Sequence, residues 1–147
     1  MSSSGALDRI DALLVAASMS PSFVAVSRGD PLQVPALPWA SYFLQSQREI
    51  EEFRTLADAS TLSTVVINTW HPAALDPGVN SDVVTDVWDC IAAVRTSIMG
   101  DSDLNGNVSD LFMTTSQVSN FELNGSWFVR TETMLELEIL GDTAIAK

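Results

Sequence analysis

The stretch Ser126–Leu140 reads SWFVRTETMLELEIL, and its alternation decides the fold. Trp127, Val129, Thr131, Thr133, Leu135, Leu137 and Ile139 share one parity, while Arg130, Glu132, Glu136 and Glu138 fall on the other. Successive side chains of a strand point to opposite faces, so this is a half-exposed antiparallel strand with its apolar face packed and its acidic face wet. Working back along the chain, Met113–Glu122 reads as a second strand. The β-branched block STVVINTW (Ser63–Trp70) is a firmer one, suited to the centre of a sheet. WASYFLQ (Trp39–Gln45) reads as another strand. Phe23–Val26 reads as a short one that Arg28-Gly29-Asp30-Pro31 stops. The RGD triplet in that stop is turn chemistry rather than an adhesion motif.

Helical spacing appears in three places. In ALDRIDALLVAAS (Ala6–Ser18), Leu7, Ile10, Leu13, Leu14 and Ala17 line one face, with Asp8, Arg9 and Asp11 on the other. REIEEFRTLADAS (Arg48–Ser60) gives a short amphipathic helix through Ile50, Phe53 and Ala57. The longest helix is expected over about 82–99, with Ser81 or Asp82 as its cap. Val84, Val87, Trp88, Ile91, Val94 and Ile98 form its apolar stripe, and a left-handed Gly100 its stop. The order of helix, strands, one long helix and strands makes an α+β fold. An antiparallel or mixed sheet carries the 82–99 helix on one face, beside an N-terminal helix. At 147 residues the chain is expected to be a single domain over 1–147.

Composition removes several function classes. Hydrophobic residues make up 46% and charged residues 18%, which is globular rather than disordered. The longest apolar run, Ala12–Ala17, is far too short to span a bilayer, so no membrane partner is expected. MSSSGALDR lacks the cationic lead and apolar core of a secretory signal, which suggests a soluble protein retained in the cell that makes it. A net charge of −12 opposes the phosphate-neutralising surface of a nucleic-acid binder. Between Asp76 and Asp110 there are seven Asp and a lone cation, Arg95. Half of the net charge therefore lies on one segment, either as a solvated face or as a surface that repels an anion or attracts a basic partner.

Catalytic chemistry has little to work with. His71 is the only histidine, and it precedes a proline in what reads as a surface loop, HPAALDPGVNS (His71–Ser81). The single cysteine, Cys90, rules out an internal disulfide and any multi-cysteine zinc site, and it reads as a small buried residue. No nucleophile elbow, Walker loop or dinucleotide fingerprint is present. Glu136 and Glu138 lie on a regular strand face that suits solvation better than proton transfer.

DSDLNGNVSDLF (Asp101–Phe112) opens like a calcium loop, with Asp101, Asp103 and Asn105 at positions one, three and five and Gly106 at six. Such a loop needs a bidentate Glu at position twelve, where this chain has Phe112, and a strand follows where a helix should. The segment reads instead as a helix-to-strand connection. Asn105-Gly106 turns the chain, and Leu104, Val108 and Leu111 enter the core.

In order and spacing, the chain resembles the tail terminator (tail-completion or minor tail) proteins of long-tailed bacteriophages. The resemblance rests on LDRIDALLVAA, LPWASYFLQS, STVVINTW and VVTDVWDCIAAVRTSI. The segment Asp101-Ser102-Asp103-Leu104-Asn105-Gly106 and a terminal strand FVRTETMLELEI bearing Arg130 complete it. It covers the chain from about Leu7 to Leu140, and the Leu32–Pro38 and Gln45–Ala59 segments depart from it. What it implies is a structural virion protein without a cofactor. It would be a homo-oligomeric ring, usually a hexamer, on the head-proximal end of the tail tube. That ring would end tube polymerisation, contact the tail tube protein, and join the tail to the head–tail connector or stopper. It would assemble in the host cytoplasm, and genome DNA would pass through it without specific binding.

On that reading Asp76, Asp82, Asp86, Asp89, Asp101, Asp103 and Asp110 are candidates to line the lumen, where like charge keeps the duplex from sticking. Trp39, Trp70, Trp127 and Arg130 are interface candidates, because aromatic residues and arginine are enriched at interface centres. Another ring protein of the neck or tube, a small calcium-responsive binding module, and an enzyme using dispersed Ser, Asp and His71 are the alternatives.

Overall fold

The computed structural model describes residues 3–17, 23–29, 37–49, 60–72 and 81–140. The elements are α1 (Ser3–Val15), β1 (Ala25–Arg28), β2 (Trp39–Glu49), β3 (Ser60–Pro72), α2 (Ser81–Met99), β4 (Asp110–Leu123) and β5 (Ser126–Leu140). The strands form one five-stranded sheet in the order β1-β2-β3-β5-β4. β1 runs parallel to β2 and the other neighbours are antiparallel, so the sheet is mixed and the fold is α+β. The β-branched strand is central, as its composition indicates. The helix expected over Arg48–Ser60 begins and ends on residues that belong to β2 and β3, and its middle, 50–59, lies outside the described residues.

The alternation of β5 survives in three dimensions. Val129, Thr131, Thr133, Leu135, Leu137 and Ile139 are buried, with half-buried residues between them. Their partners on β3 are His71, Thr69, Ile67, Val65, Ser63 and Thr61, which extend the same face across the sheet. Both helices pack on that face. Ala6, Leu7, Ile10 and Leu14 of α1 join Cys90, Val94 and Ile98 of α2 in one cluster with Val65, Ile67, Leu135, Leu137 and Ile139. Val87 and Ile91 of α2 meet Val129 in a smaller one.

The apolar stripe of α2 is narrower than its sequence suggests. Trp88, a residue of the expected stripe, is 50% exposed. A helix turns about 100° per residue, so Trp88 stands a full step round from Val87, at the margin of a face centred on Val87, Ile91, Val94 and Ile98.

The polar side of α1 docks it. Asp8 accepts from Arg28 Nη2 at 2.8 Å, Asp11 accepts from Tyr42 Oη at 2.8 Å, and Arg9 reaches Asp101. Ser97 Oγ of α2 donates to Leu13 O at 2.9 Å.

Candidate functional site

The segment after α2 uses its oxygen-bearing side chains to build a turn. The helix decays through Gly100 N–H to Thr96 O and Asp101 N–H to Ile98 O. Gly100 stays outside the left-handed region, contrary to the expected stop, and a Cβ there would lie 3.2 Å from Thr96 O. The left-handed reversal comes later, at three consecutive residues: Leu104 (φ 46°), Asn105 (58°) and Gly106 (80°). Asp101 Oδ1 accepts the Asn105 N–H, Asn107 Nδ2 donates to Leu104 O, and the N–H of both Asn107 and Val108 returns to Asp103 O. Leu104, Val108 and Leu111 are all buried, so the connection plugs the end of the core as its sequence indicates.

Asp101 is already committed. Arg9 Nε stands 2.5 Å from its Oδ2, and this guanidinium is the main reason its carboxyl lies below the ordinary value; the Asn105 N–H adds to it. The other two calcium candidates, Asp103 and Asn105, are exposed. Among the described residues no three His, Cys, Asp or Glu side chains gather as a metal-binding set.

His71 is not on a surface loop. Pairing with β5 carries β3 on through His71↔Val129 and Pro72↔Phe128, and His71 has the parity of the helix-covered face. It is 5% exposed, and its Nε2 lies 2.8 Å from Thr69 Oγ1, which also meets Thr131 Oγ1. Burial pushes the imidazole down to about 4 and the nearby buried thiol of Cys90 up to about 11, the latter opposed by a hydrogen bond with Thr69. At neutral pH both groups are therefore uncharged, the opposite of an activated thiolate–imidazolium pair.

The four interface candidates separate. Trp70 is buried within the chain at 1% exposure, with Nε1 donating to Ser41 Oγ at 3.2 Å and its ring edge-on to Phe121 and Phe128. Arg130 stacks on this cluster, its guanidinium 4.1 Å from the Phe121 ring centre and 5.7 Å from that of Trp70. Its charge faces Glu132 at 3.9 Å, and its buried Nε makes no hydrogen bond within the described residues. Trp39 is half-buried, with Nε1 donating to Ser27 Oγ at 3.0 Å. Trp127 alone among them is open, at 53% exposure. It sits at the tip of the β4–β5 hairpin, past the helices that cover the rest of its parity. Asn124 and Gly125, both left-handed at φ 52° and 81°, form the two-residue turn there.

The acidic candidates also divide. Asp76 lies outside the described residues, and Asp82 and Asp86 lie on α2. Asp89, Asp103 and Asp110 are exposed, on α2, on the connection and at the start of β4, whereas Asp101 is the half-buried partner of Arg9.

No protein-family model and no curated protein sequence matches the chain. Its fold matches solved structures. The sheath/tube terminator of an extracellular contractile injection system, in its extended state, superposes with a TM-score of 0.53 at 12% identity. The match covers 100% of this chain and 59% of that one, so the chain spans under two thirds of the terminator's length. A looser likeness is to a chain of the virion of a native gene transfer agent particle. It has a TM-score of 0.47 at 13% identity and covers 92% of each chain. The fold is thus one that a tube terminator uses, consistent with the tail-terminator resemblance of the sequence.

Proposed function

We propose that the protein is a structural subunit of a phage-type tail, a terminator that forms a ring at the head-proximal end of the tail tube. The ring, of six copies, ends tube polymerisation and joins the tail to the head connector. Its partners are further copies of itself, the tube protein and the connector or stopper. It works in the virion and needs neither cofactor nor catalytic group. The observation that carries this reading is the fold shared over the whole chain with a sheath/tube terminator. The inert state of His71 and Cys90 agrees with a structural role. In the ring, the exposed carboxylates of Asp89, Asp103 and Asp110 face the lumen and repel the passing duplex. Asp101 contributes least, because Arg9 neutralises it.

Electron microscopy of the purified protein mixed with tail tubes tests the reading. Rings seated on one end of each tube support it. A protein that neither forms rings nor occupies tube ends contradicts it. A ring structure with the Asp89, Asp103 and Asp110 carboxylates on its outer rim would remove the lumen assignment alone.

A further inference from the structure

The sheet ends on β4, which pairs with β5 on one side and with no strand on the other among the described residues. Over Leu111–Phe121, LFMTTSQVSNF, this edge strand carries no ionisable side chain and no proline. A long edge strand leaves a row of backbone N–H and C=O groups open to pairing. Lone chains usually blunt such an edge with lysine, proline or a covering segment. Here the single irregularity is the register shift between Met113 and Ser116.

Four of the seven exposed large apolar residues among the described ones lie on or beside β4, Phe112 on the open face of the sheet and the other three on the helix-covered side. Phe112 (48%) and Val118 (39%) stand on β4, Trp127 (53%) at the hairpin tip, and Trp88 (50%) on the flank of α2. The hydrogen bond from Arg95 to Ser116 lays that flank of α2 along β4, because Trp88 and Arg95 are seven residues apart and share a helix face. Open backbone and aromatic anchors thus lie side by side, the combination that strand addition uses for affinity and specificity.

We infer that the β4 edge is a subunit contact, on which a second copy of this chain adds an extended segment to the sheet. Charge selects the occupant. Two copies of a chain with a net charge of −12 repel wherever their acids meet. They approach most favourably along a surface without ionisable groups, which Leu111–Phe121 is. The strand itself offers a basic partner no carboxylate, and the cation Arg95 beside it is held by Ser116. The contact rests on the ring reading only for the number of copies. If β4 of one copy meets a different surface of the next, the arrangement is head-to-tail, the kind that forms a ring when the rotation between copies closes.

The test is sedimentation, first without tubes: analytical ultracentrifugation of the wild-type chain, Val118→Glu, Trp88→Ala and, as a control, Val15→Glu. Val15 is 63% exposed on α1, far along the chain from β4. Circular dichroism and thermal melts of each variant verify folding. All these side chains are at least a third exposed, so the melts should stay close to wild type. The wild type should self-associate with rising concentration. Val118→Glu and Trp88→Ala should each weaken that association about tenfold or more, while Val15→Glu leaves it unchanged. A wild type that stays monomeric both alone and with tail tubes overturns the inference, as do β4 variants that associate as the wild type does. Intact rings on tubes built from Val118→Glu would sink the β4 contact and leave the terminator reading standing. Self-association that is lost in Val118→Glu, with tube ends never occupied, would do the reverse.

Discussion

Arg9 of α1 holds Asp101, just past the end of α2, by a 2.5 Å Nε–Oδ2 contact across 92 residues of sequence. The pair ties the first helix to the turn that starts the β-rich half. Arg9 is 39% exposed, so solvent screens the pair. Asp101→Asn should therefore lose only about 0.5–1 kcal/mol at pH 7 in urea unfolding, and an Arg9→Ala double-mutant cycle should show the coupling. The folded carboxyl is below its ordinary 3.8, so the contribution is full above that value and fades as pH falls through the lower folded value. Equal wild-type and Asp101→Asn stabilities at pH 7 would dismiss the tie.

His71 makes stability fall toward acid as well, but in a higher range of pH. It is buried neutral, at about 4 against an ordinary 6.5. The unfolded chain therefore binds a proton between those values that the folded chain refuses. Stability is full above about 6.5 and falls as pH drops toward 4. From pH 7 to pH 5 the wild type should lose about 2 kcal/mol more than His71→Gln, measured by urea midpoints at each pH. Parallel pH profiles for the two proteins would show that His71 is not buried.

Leu104 combines full burial with a left-handed backbone, φ 46°. Leu104→Ala should cost about 2–5 kcal/mol through lost packing and the residual cavity. Leu104→Gly removes the same side chain but relieves a left-handed strain of about 1–2 kcal/mol, offsetting the usual flexibility of glycine. The Gly variant should thus melt no lower than the Ala variant. A clearly lower melt for Gly would mean that this backbone is not left-handed in solution.

Calcium should leave the protein unmoved. The carboxylate that would open a binding loop is engaged by Arg9 and the Asn105 N–H. Millimolar calcium should not shift the thermal midpoint, whereas a specific site held at saturation would raise stability by at least a kcal/mol or so.

Much of this fold is legible in the sequence because period-2 and helical patterns report burial directly. The β5 alternation, the central β-branched strand and the long helix all follow from it. Where pattern meant one thing and context another, reading failed. Trp88 is apolar but one step off the packed face, and Trp127 has the buried parity but outruns the helices that would cover it. His71-Pro72 looks like a loop, yet pairing with β5 extends the strand through both. The Asn124-Gly125 dipeptide between two strands was a sufficient signal for the tight hairpin. The docking roles of Asp8, Arg9 and Asp11 had none, since contacts 20 to 92 residues apart leave no periodic trace. The assembly surface is harder still. An edge strand is a property of topology: among the described residues, β4 is left at the end of the sheet because β5 inserts between β3 and β4.

Electron microscopy of tail tubes assembled with and without the protein tests the proposed terminator role most directly. With the protein present, tubes should carry a ring at one end and stop growing there. Bare tube ends and unchanged length distributions in its presence would contradict it.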